Sequence, residues 1–262
     1  MRTDILDLHH FYETPLGQTV QGVVDMRLEA MWGEVTGMRV AGFGFTAPWL
    51  GRFSKARTLI SLAPDAQGVM RWPQHAGASD MPVPEKNRAC LVHEGFWPLP
   101  DRSLDRLLIV HGLEEVRDVE RLMREAWRVL ADDGRMIIVA AQRRGLWATF
   151  DTTPLAAGRP WLRGQLGRTL QRANFTPLVW QRALHFPPMN NALIRQSAGG
   201  WEKVGRRLWP GFCGLLVVEA GKSMMHPAKG TPEIALNVIR PRLRGQWVPA
   251  PRPASPLGAP KV

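Results

Sequence analysis

The side chains best suited to chemistry follow two apolar runs in the middle of the chain. His111 follows the run 107–110, and an imidazole with an ordinary pKa near 6.5 can take a proton from a nucleophile. A histidine that only caps the end of a strand would look the same. Arg143, Arg144 and Trp147 follow the run 136–140, and arginine forks bind carboxylate or phosphate groups of a substrate. These arginines could equally be solvated surface residues.

The segment 97–140 predicts the elements that position these residues. Its first apolar run, 107–110, is short and continuous, which is typical of a strand buried on both faces. Apolar residues at helical spacing follow between 119 and 130, and Asp132, Asp133 and Gly134 then predict a turn into a second buried strand. Two buried strands joined by one helix are parallel, with a right-handed crossover. The segment therefore predicts a strand, helix, strand unit of an α/β fold.

The rest of the chain extends this pattern. Apolar runs predict strands at 38–43, 57–62, 88–92, 105–111, 135–141, 175–184 and 213–220. Thr14 and Pro15 are typical of a helix start, so a helix is expected at about 14–32, with others near 162–173 and 190–208. Residues 223–262 contain eight prolines and little periodicity. We therefore expect one domain over 1–222 and an extended or disordered basic tail over 223–262.

Two stretches of the central segment resemble a known family. They are PLPDRSLDRLLIVHGLEEV and LMREAWRVLADDGRMIIV. Both are similar to the middle of class I S-adenosylmethionine-dependent methyltransferases of the type 11-like group, whose usual form is LPFPDGSFDxV…LxEixRVLkPGGxLxI. The resemblance implies a Rossmann-like α/β sheet with strand order 3-2-1-4-5-7-6 and only the last strand antiparallel. It also implies S-adenosylmethionine as cofactor and sets His111 beside the methyl group to be transferred.

The loop after the first strand departs from the family pattern D-x-G-x-G-x-G. In that pattern, glycines let the backbone pass close beneath the methionine part of the cofactor. The matching segment is VAGFGFTAPWL, in which Gly42 stands at the acid position, Gly44 keeps the first glycine, and Thr46 and Pro48 replace the next two. The resemblance implies that Gly42, Gly44 and Thr46 bind the cofactor. A tight strand-to-helix turn without a ligand would also explain G-x-G.

Two further cofactor positions lack the usual acid. Aligning ISLAPDAQG with the form VDLSPEML puts Ser61, followed by Leu62, where an acid accepts the ribose hydroxyls. The acid near the adenine amine corresponds to His93, and Glu94 beside it is either a substitute or a solvated loop residue. Because charge-assisted hydrogen bonds contribute about 1.5–3 kcal/mol, we expect cofactor binding to be weak or lost. The irregular stretch that includes Trp72 could cover the cofactor as a lid.

The net charge of +11 is unevenly divided. Residues 1–142 carry 16 Lys and Arg against 19 Asp and Glu, a net of −3, whereas residues 143–262 carry 18 against 4, a net of +14. The basic half could contact an anionic substrate, an acidic protein partner, RNA or a membrane surface, or could be only a solvated surface. Since no RNA-binding signature accompanies the arginines, nucleic acid is a minority expectation.

Composition restricts the class of protein. No apolar run approaches the roughly 20 residues that span a bilayer, and no signal-peptide core begins the sequence, which together predict a cytoplasmic location. Cys90 and Cys213 each adjoin an apolar run and are expected to be reduced core residues. The histidines are scattered, so no metal site is expected.

These observations favour an enzyme, an S-adenosylmethionine-dependent methyltransferase that acts on a small, anionic substrate. The alternative is a catalytically reduced member of the family that binds a protein partner through its basic C-terminal half. A nicotinamide dehydrogenase fits less well, because its third glycine and the acid after strand two are both missing.

Overall fold

A single mixed sheet organises the chain, flanked by helices on both faces. The computed structural model describes residues 4–73, 86–150, 153–189, 192, 197–208 and 210–223. The strands are β1 (Arg39–Gly44), β2 (Thr58–Pro64), β3 (Ala89–Val92), β4 (Leu104–Val110), β5 (Leu130–Ala141), β6 (Phe175–Ala183) and β7 (Leu215–Lys222). The helices are α1 (Ile5–Glu13), α2 (Pro15–Trp32), α3 (Ala47–Leu50), α4 (Val119–Val129), α5 (Arg163–Arg172) and α6 (Ala198–Leu208).

The strand order is β3-β2-β1-β4-β5-β7-β6. β7 lies between β5 and β6 and runs antiparallel to both, whereas the β1–β2, β1–β4, β2–β3 and β4–β5 pairs are parallel. This confirms the predicted order and the antiparallel last strand. The central strands carry continuous apolar runs because helices cover both of their faces.

Two apolar clusters fill the space between the sheet and its helices. α1, α2 and α3 pack on one face, where Val20, Leu28 and Trp49 are fully or almost fully buried. α4 and α5 pack on the other face through residues such as Leu122 and Leu166. Helix α4 shows the expected spacing, with Leu122, Met123, Ala126 and Val129 buried on one side. Asp118 caps its first turn by accepting the backbone N–H of Arg121 at 2.9 Å.

Several local expectations were wrong. The turn predicted at residues 132–134 is part of β5, which begins at Leu130 because Leu130 pairs with Leu104 of β4. Cys90 lies exposed on the short edge strand β3, whereas Cys213 is buried as expected. The sequence also missed α1, although Asp4 accepts the N–H of Leu6 at 3.3 Å as a helix cap. Of the helix expected at 190–208, the structure describes α6 and little of 190–197, and the tail from 224 lies outside the described residues.

Candidate functional site

The carboxyl ends of β1 and β2 border a cavity of about 380 Å³. In open α/β sheets, ligands bind beyond the carboxyl ends of strands where the strand order reverses, which here is between β1 and β4. The volume lies within the range of about 300–1,000 Å³ typical of small-molecule sites. Residues that line the cavity come from α1, the loop after β1, β2 and the segment after β2, and include Tyr12, Gly44, Thr46, Ser61, Ala63 and Trp72.

The loop after β1 forms the floor of the cavity. Gly44 has φ of +86°, and a Cβ added there would lie 2.3 Å from the carbonyl oxygen of Val110. Only glycine therefore lets the loop pass this close to the end of β4. The next residue, Phe45, donates its N–H to the same carbonyl at 2.9 Å. Thr46 then begins α3, and its buried Oγ1 has no hydrogen-bond partner among the described residues.

Gly42 faces the loop instead of the cavity. A Cβ at this position would lie 2.1 Å from Oγ1 of Thr46 and 3.1 Å from a methyl group of Leu50. The carboxylate that the family carries here would therefore collide with Thr46. The structure brings Gly44 and Thr46 to the cavity, but Gly42 contributes only the close packing of the loop.

Ser61 lines the cavity from the middle of β2 and is buried. Its neighbour Leu62 points to the opposite face of the sheet, because successive side chains of a strand alternate, and it packs in the apolar cluster with α4. Trp72 is buried and lines the cavity, and its expected position over a ligand stays a prediction. Part of the proposed lid, residues 74–85, lies outside the described residues.

His93 and Glu94 do not line the cavity. His93 is exposed, and its Nδ1 accepts the backbone N–H of Gly95 at 3.2 Å. Glu94 accepts the N–H groups of Arg117 and Asp118 at 3.1 and 3.2 Å, immediately before α4. Its carboxylate therefore stabilises the start of that helix, where negative charge is favourable, and the adenine-binding role expected for it needs a different conformation.

Helix α1 brings Tyr12 over the end of β4, a contact that the sequence did not predict. Tyr12 Oη lies 2.7 Å from Nε2 of His111, and both residues are buried. The phenol ring stacks on Phe45 with centroids 5.6 Å apart and meets the edge of Trp49 at 5.1 Å. Tyr12 lines the cavity and separates it from His111. The spacing of Ile5, Leu8 and Tyr12 along one helical face is the signal that could have revealed α1.

Burial sets the protonation of this pair. It lowers the pKa of His111 from 6.5 to about 4, so the imidazole is neutral at pH 7. Burial, together with the charge of Glu114, raises the pKa of Tyr12 well above its usual value. Tyr12 therefore keeps its proton, and its hydroxyl and Nε2 of the neutral imidazole share one hydrogen bond. His111 also has φ of +49°, a left-handed conformation that non-glycine residues rarely adopt.

A third buried group, Glu114, joins the site to β5. One of its oxygens accepts the N–H of Ala141 at 2.8 Å, and the other accepts the N–H of Leu113 at 3.2 Å. Burial raises the pKa of Glu114, and these hydrogen bonds lower it in part. Glu114 thereby fixes the loop after β4 against the end of β5.

The expected substrate residues separate into two environments. Arg143 and Arg144 are exposed beyond β5, and Arg143 donates Nε to the carbonyl of Pro160 at 3.1 Å. Trp147 is fully buried, and its Nε1 donates to the carbonyl of Phe186 at 2.8 Å. Because its one polar atom is satisfied inside the core, Trp147 supports the fold and does not face a substrate.

The chain matches a known family model over part of its length. A family model described as a methyltransferase domain matches residues 41–138. The match covers 98 of the 262 residues of the chain. The match runs from β1 into β5 and includes the loop after β1, Ser61 and His111. No curated protein sequence gives a significant match to the chain.

Solved structures of methyltransferases share the fold of this chain. A methyltransferase from Thermotoga maritima, described as a possible histamine N-methyltransferase, has TM-score 0.53 and 16% identity over 82% of this chain and 94% of that chain. Methyltransferases from Mesorhizobium loti and Archaeoglobus fulgidus have TM-scores 0.51 and 0.52 and identities 19% and 16%. They cover 74% and 77% of this chain and 95% and 94% of their own. At these identities the likeness establishes the fold.

The cavity lies beyond the carboxyl ends of the strands, where open α/β sheets bind ligands, and Oγ1 of Thr46 is a buried polar atom without a partner in the described part of the chain. Ser61 adds a second hydroxyl, but none of the three positions that carry acids in the family holds one. The described residues contain no cluster of His, Cys, Asp and Glu that could hold a metal ion. Among the helices that the structure describes, none has the length and apolar character needed to cross a membrane.

Proposed function

We propose that this chain transfers a methyl group to a small, anionic substrate and holds its cofactor weakly, through neutral groups. The observation that carries the proposal is the cavity at the ends of β1 and β2, bordered by Gly44, Thr46 and Ser61. When bound, S-adenosylmethionine supplies an electrophilic methyl group on a sulfonium centre. The proposal keeps the cytoplasmic location that the sequence predicts.

In this proposal, the residues of the site mainly bind and orient the cofactor and the substrate, and proton transfer is a smaller part of their role. Ser61 accepts from the ribose, Thr46 lines the cavity beside the loop, and Gly44 keeps the backbone close. Methyl transfer is an in-line displacement that depends mainly on positioning. His111 cannot serve as a base that substrate reaches directly, because Tyr12 covers it and burial lowers its pKa to about 4. We therefore assign His111 a positioning role, in which it fixes the hydroxyl of Tyr12 at the cavity wall.

Arg143 and Arg144 carry the substrate side of the proposal. Both are exposed beyond β5, and their guanidinium groups suit a carboxylate or phosphate. If they bind the methyl acceptor, Arg143→Ala with Arg144→Ala raises KM for small carboxylates and phosphates while kcat changes less. Formation of S-adenosylhomocysteine over a panel of such acceptors measures this.

One observation favours a second function, in which a domain with reduced catalytic activity binds a protein partner. The acid position of the loop is closed by Thr46, since a Cβ on Gly42 would lie 2.1 Å from its Oγ1. A domain that has lost its carboxylate contacts can keep the fold as a scaffold. In that case the basic C-terminal half is the docking surface.

Calorimetric titration with S-adenosylhomocysteine separates the two functions. The Ser61→Asp variant restores an acceptor for the ribose hydroxyls and should tighten binding by about 1–3 kcal/mol. Ser54→Asp, at an exposed position outside the cavity, is the matched control and should leave the affinity unchanged. Low-micromolar affinity of the unmodified chain supports an active enzyme. Binding by the Ser61→Asp variant alone supports a domain with reduced catalytic activity. If neither folded protein released or absorbed heat on titration, the proposed cofactor binding would be refuted.

A further inference from the structure

The edge of the sheet at β6 is open. β6 is the last strand in the order, and one of its edges pairs with no strand in the described part of the chain. The strand is 9 residues long, and Leu178 and Val179 on it are exposed. Backbone N–H and C=O groups along such an edge can pair with a further extended segment. The residues around this edge therefore determine which kind of extended segment can pair with β6.

A groove of about 430 Å³ follows this edge. Arg27 of α2 and Gln181 line it on one side of the strand, while Arg163, Trp180 and Arg182 line it on the other. Because side chains alternate along a strand, Trp180 and Arg182 share the face toward α5. The groove thus wraps around the free edge with arginines on both sides.

The arginines toward α5 are available for a ligand. The guanidinium of Arg163 stacks over the ring of Trp180, 5.0 Å from its centroid. Arg27 already pairs with Glu202 at 2.7 Å, whereas neither Arg163 nor Arg182 forms an ion pair with a carboxylate among the described residues. Two uncompensated cations therefore lie beside open backbone groups.

We propose that this edge docks an extended acidic segment of a partner protein, which adds to the sheet beside β6. Asp or Glu at alternate positions of that segment would face Arg163 and Arg182, since the side-chain period of a strand is two. Main-chain hydrogen bonds supply affinity, and the arginines select for acidic side chains. This docking does not depend on methyl transfer, and it gives the basic C-terminal half a defined docking site.

Charge argues against two other occupants. A second copy paired through the same edge would bring Arg163 and Arg182 against their own equivalents, because such an interface is self-complementary. The chain's own C-terminal segment 224–262 carries six Lys and Arg and one Glu, so it is repelled as well. An acidic partner segment is the occupant that both the strand edge and the cations favour.

The test uses the full chain and a labelled heptapeptide of alternating Glu and Val, followed by fluorescence anisotropy. We expect binding that weakens with salt and falls about tenfold or more in Arg163→Glu with Arg182→Glu. Arg117→Glu with Arg172→Glu removes the same charge from exposed positions outside the groove and is the control. Arg163→Glu alone, at an exposed position, covers the case in which the double variant fails to fold.

Hydrogen exchange locates the peptide. The backbone amides of 175–183 that point away from β7 should become protected on binding, with no signal from Pro177, which has no N–H. A peptide with a central Pro should bind poorly because it cannot complete the ladder. Absence of binding, equal losses in both double variants, or protection elsewhere would overturn the proposal. A short oligouridylate that bound more tightly than the peptide, and lost as much affinity as the peptide in Arg163→Glu, would overturn the proposal in favour of RNA.

Discussion

The buried pair of Tyr12 and His111 should make stability depend on pH in a way that one substitution removes. Burial lowers the pKa of His111 from 6.5 to about 4 in the folded chain. Above pH 6.5 the imidazole is neutral in both states and has no effect on the pH dependence. Below pH 6.5, the imidazole of His111 binds a proton in the unfolded chain but stays neutral in the folded chain. Stability therefore falls as the pH drops from 6.5 towards 4.

The size of the loss follows from the two pKa values. Each pH unit between them costs about 1.4 kcal/mol, so the folded state loses about 2 kcal/mol at pH 5 through this residue alone. Glu114 acts in the opposite direction, because burial raises its pKa and the folded chain then binds its proton more readily. A comparison with a variant is therefore needed to isolate the histidine.

His111→Asn removes the titrating group and keeps a residue type that tolerates a positive φ. Urea unfolding at pH 7.5 and pH 5 should show a stability loss smaller by about 2 kcal/mol in His111→Asn than in the unmodified chain. His93→Asn, at an exposed position, should retain the full loss. Equal losses in the unmodified chain and in His111→Asn would refute a buried neutral imidazole under Tyr12.

Two further substitutions test the packing of the site and its support. Gly44→Ala places a Cβ 2.3 Å from the carbonyl of Val110 and should destabilise the fold by at least about 3 kcal/mol in urea unfolding, whereas Gly51→Ala, where a Cβ meets no atom within 4 Å, should be neutral or slightly stabilising. Glu202→Gln leaves Arg27 without its 2.7 Å partner and should cost about 3 kcal/mol in the same assay. The exposed pair of Glu34 and Lys55 is the control, and an unchanged urea midpoint in Glu34→Gln is expected. Similar losses in the members of either comparison would contradict the packing described above.

Much of the fold could be predicted from the sequence because its signals are local. Continuous apolar runs mark β1 and β4, whose residues are covered on both faces. The helical spacing of Leu122, Met123, Ala126 and Val129 marks α4 between two parallel strands. The handedness of that crossover and the family resemblance then fix the order of the strands.

The candidate site was less predictable. Gly44 ends β1 and Ser61 lies in the neighbouring parallel strand β2, so their proximity to one cavity could be anticipated. Glu94 could not be assigned, since its partners are N–H groups of residues 117 and 118, more than twenty positions away. Trp147 lies close to Arg143 and Arg144 in the sequence, but only the tertiary structure shows that its ring points inward.

The sequence by itself determined which segments become strands and helices, because periodicity and capping act over a few neighbouring residues. It also determined the missing acids at Gly42, Ser61 and His93 and the concentration of positive charge in the second half. Only the tertiary structure decided that Tyr12 meets His111, 99 positions away, and that Arg163 and Arg182 flank an open strand edge. Such contacts depend on the packing free energy of distant segments, which no local pattern carries.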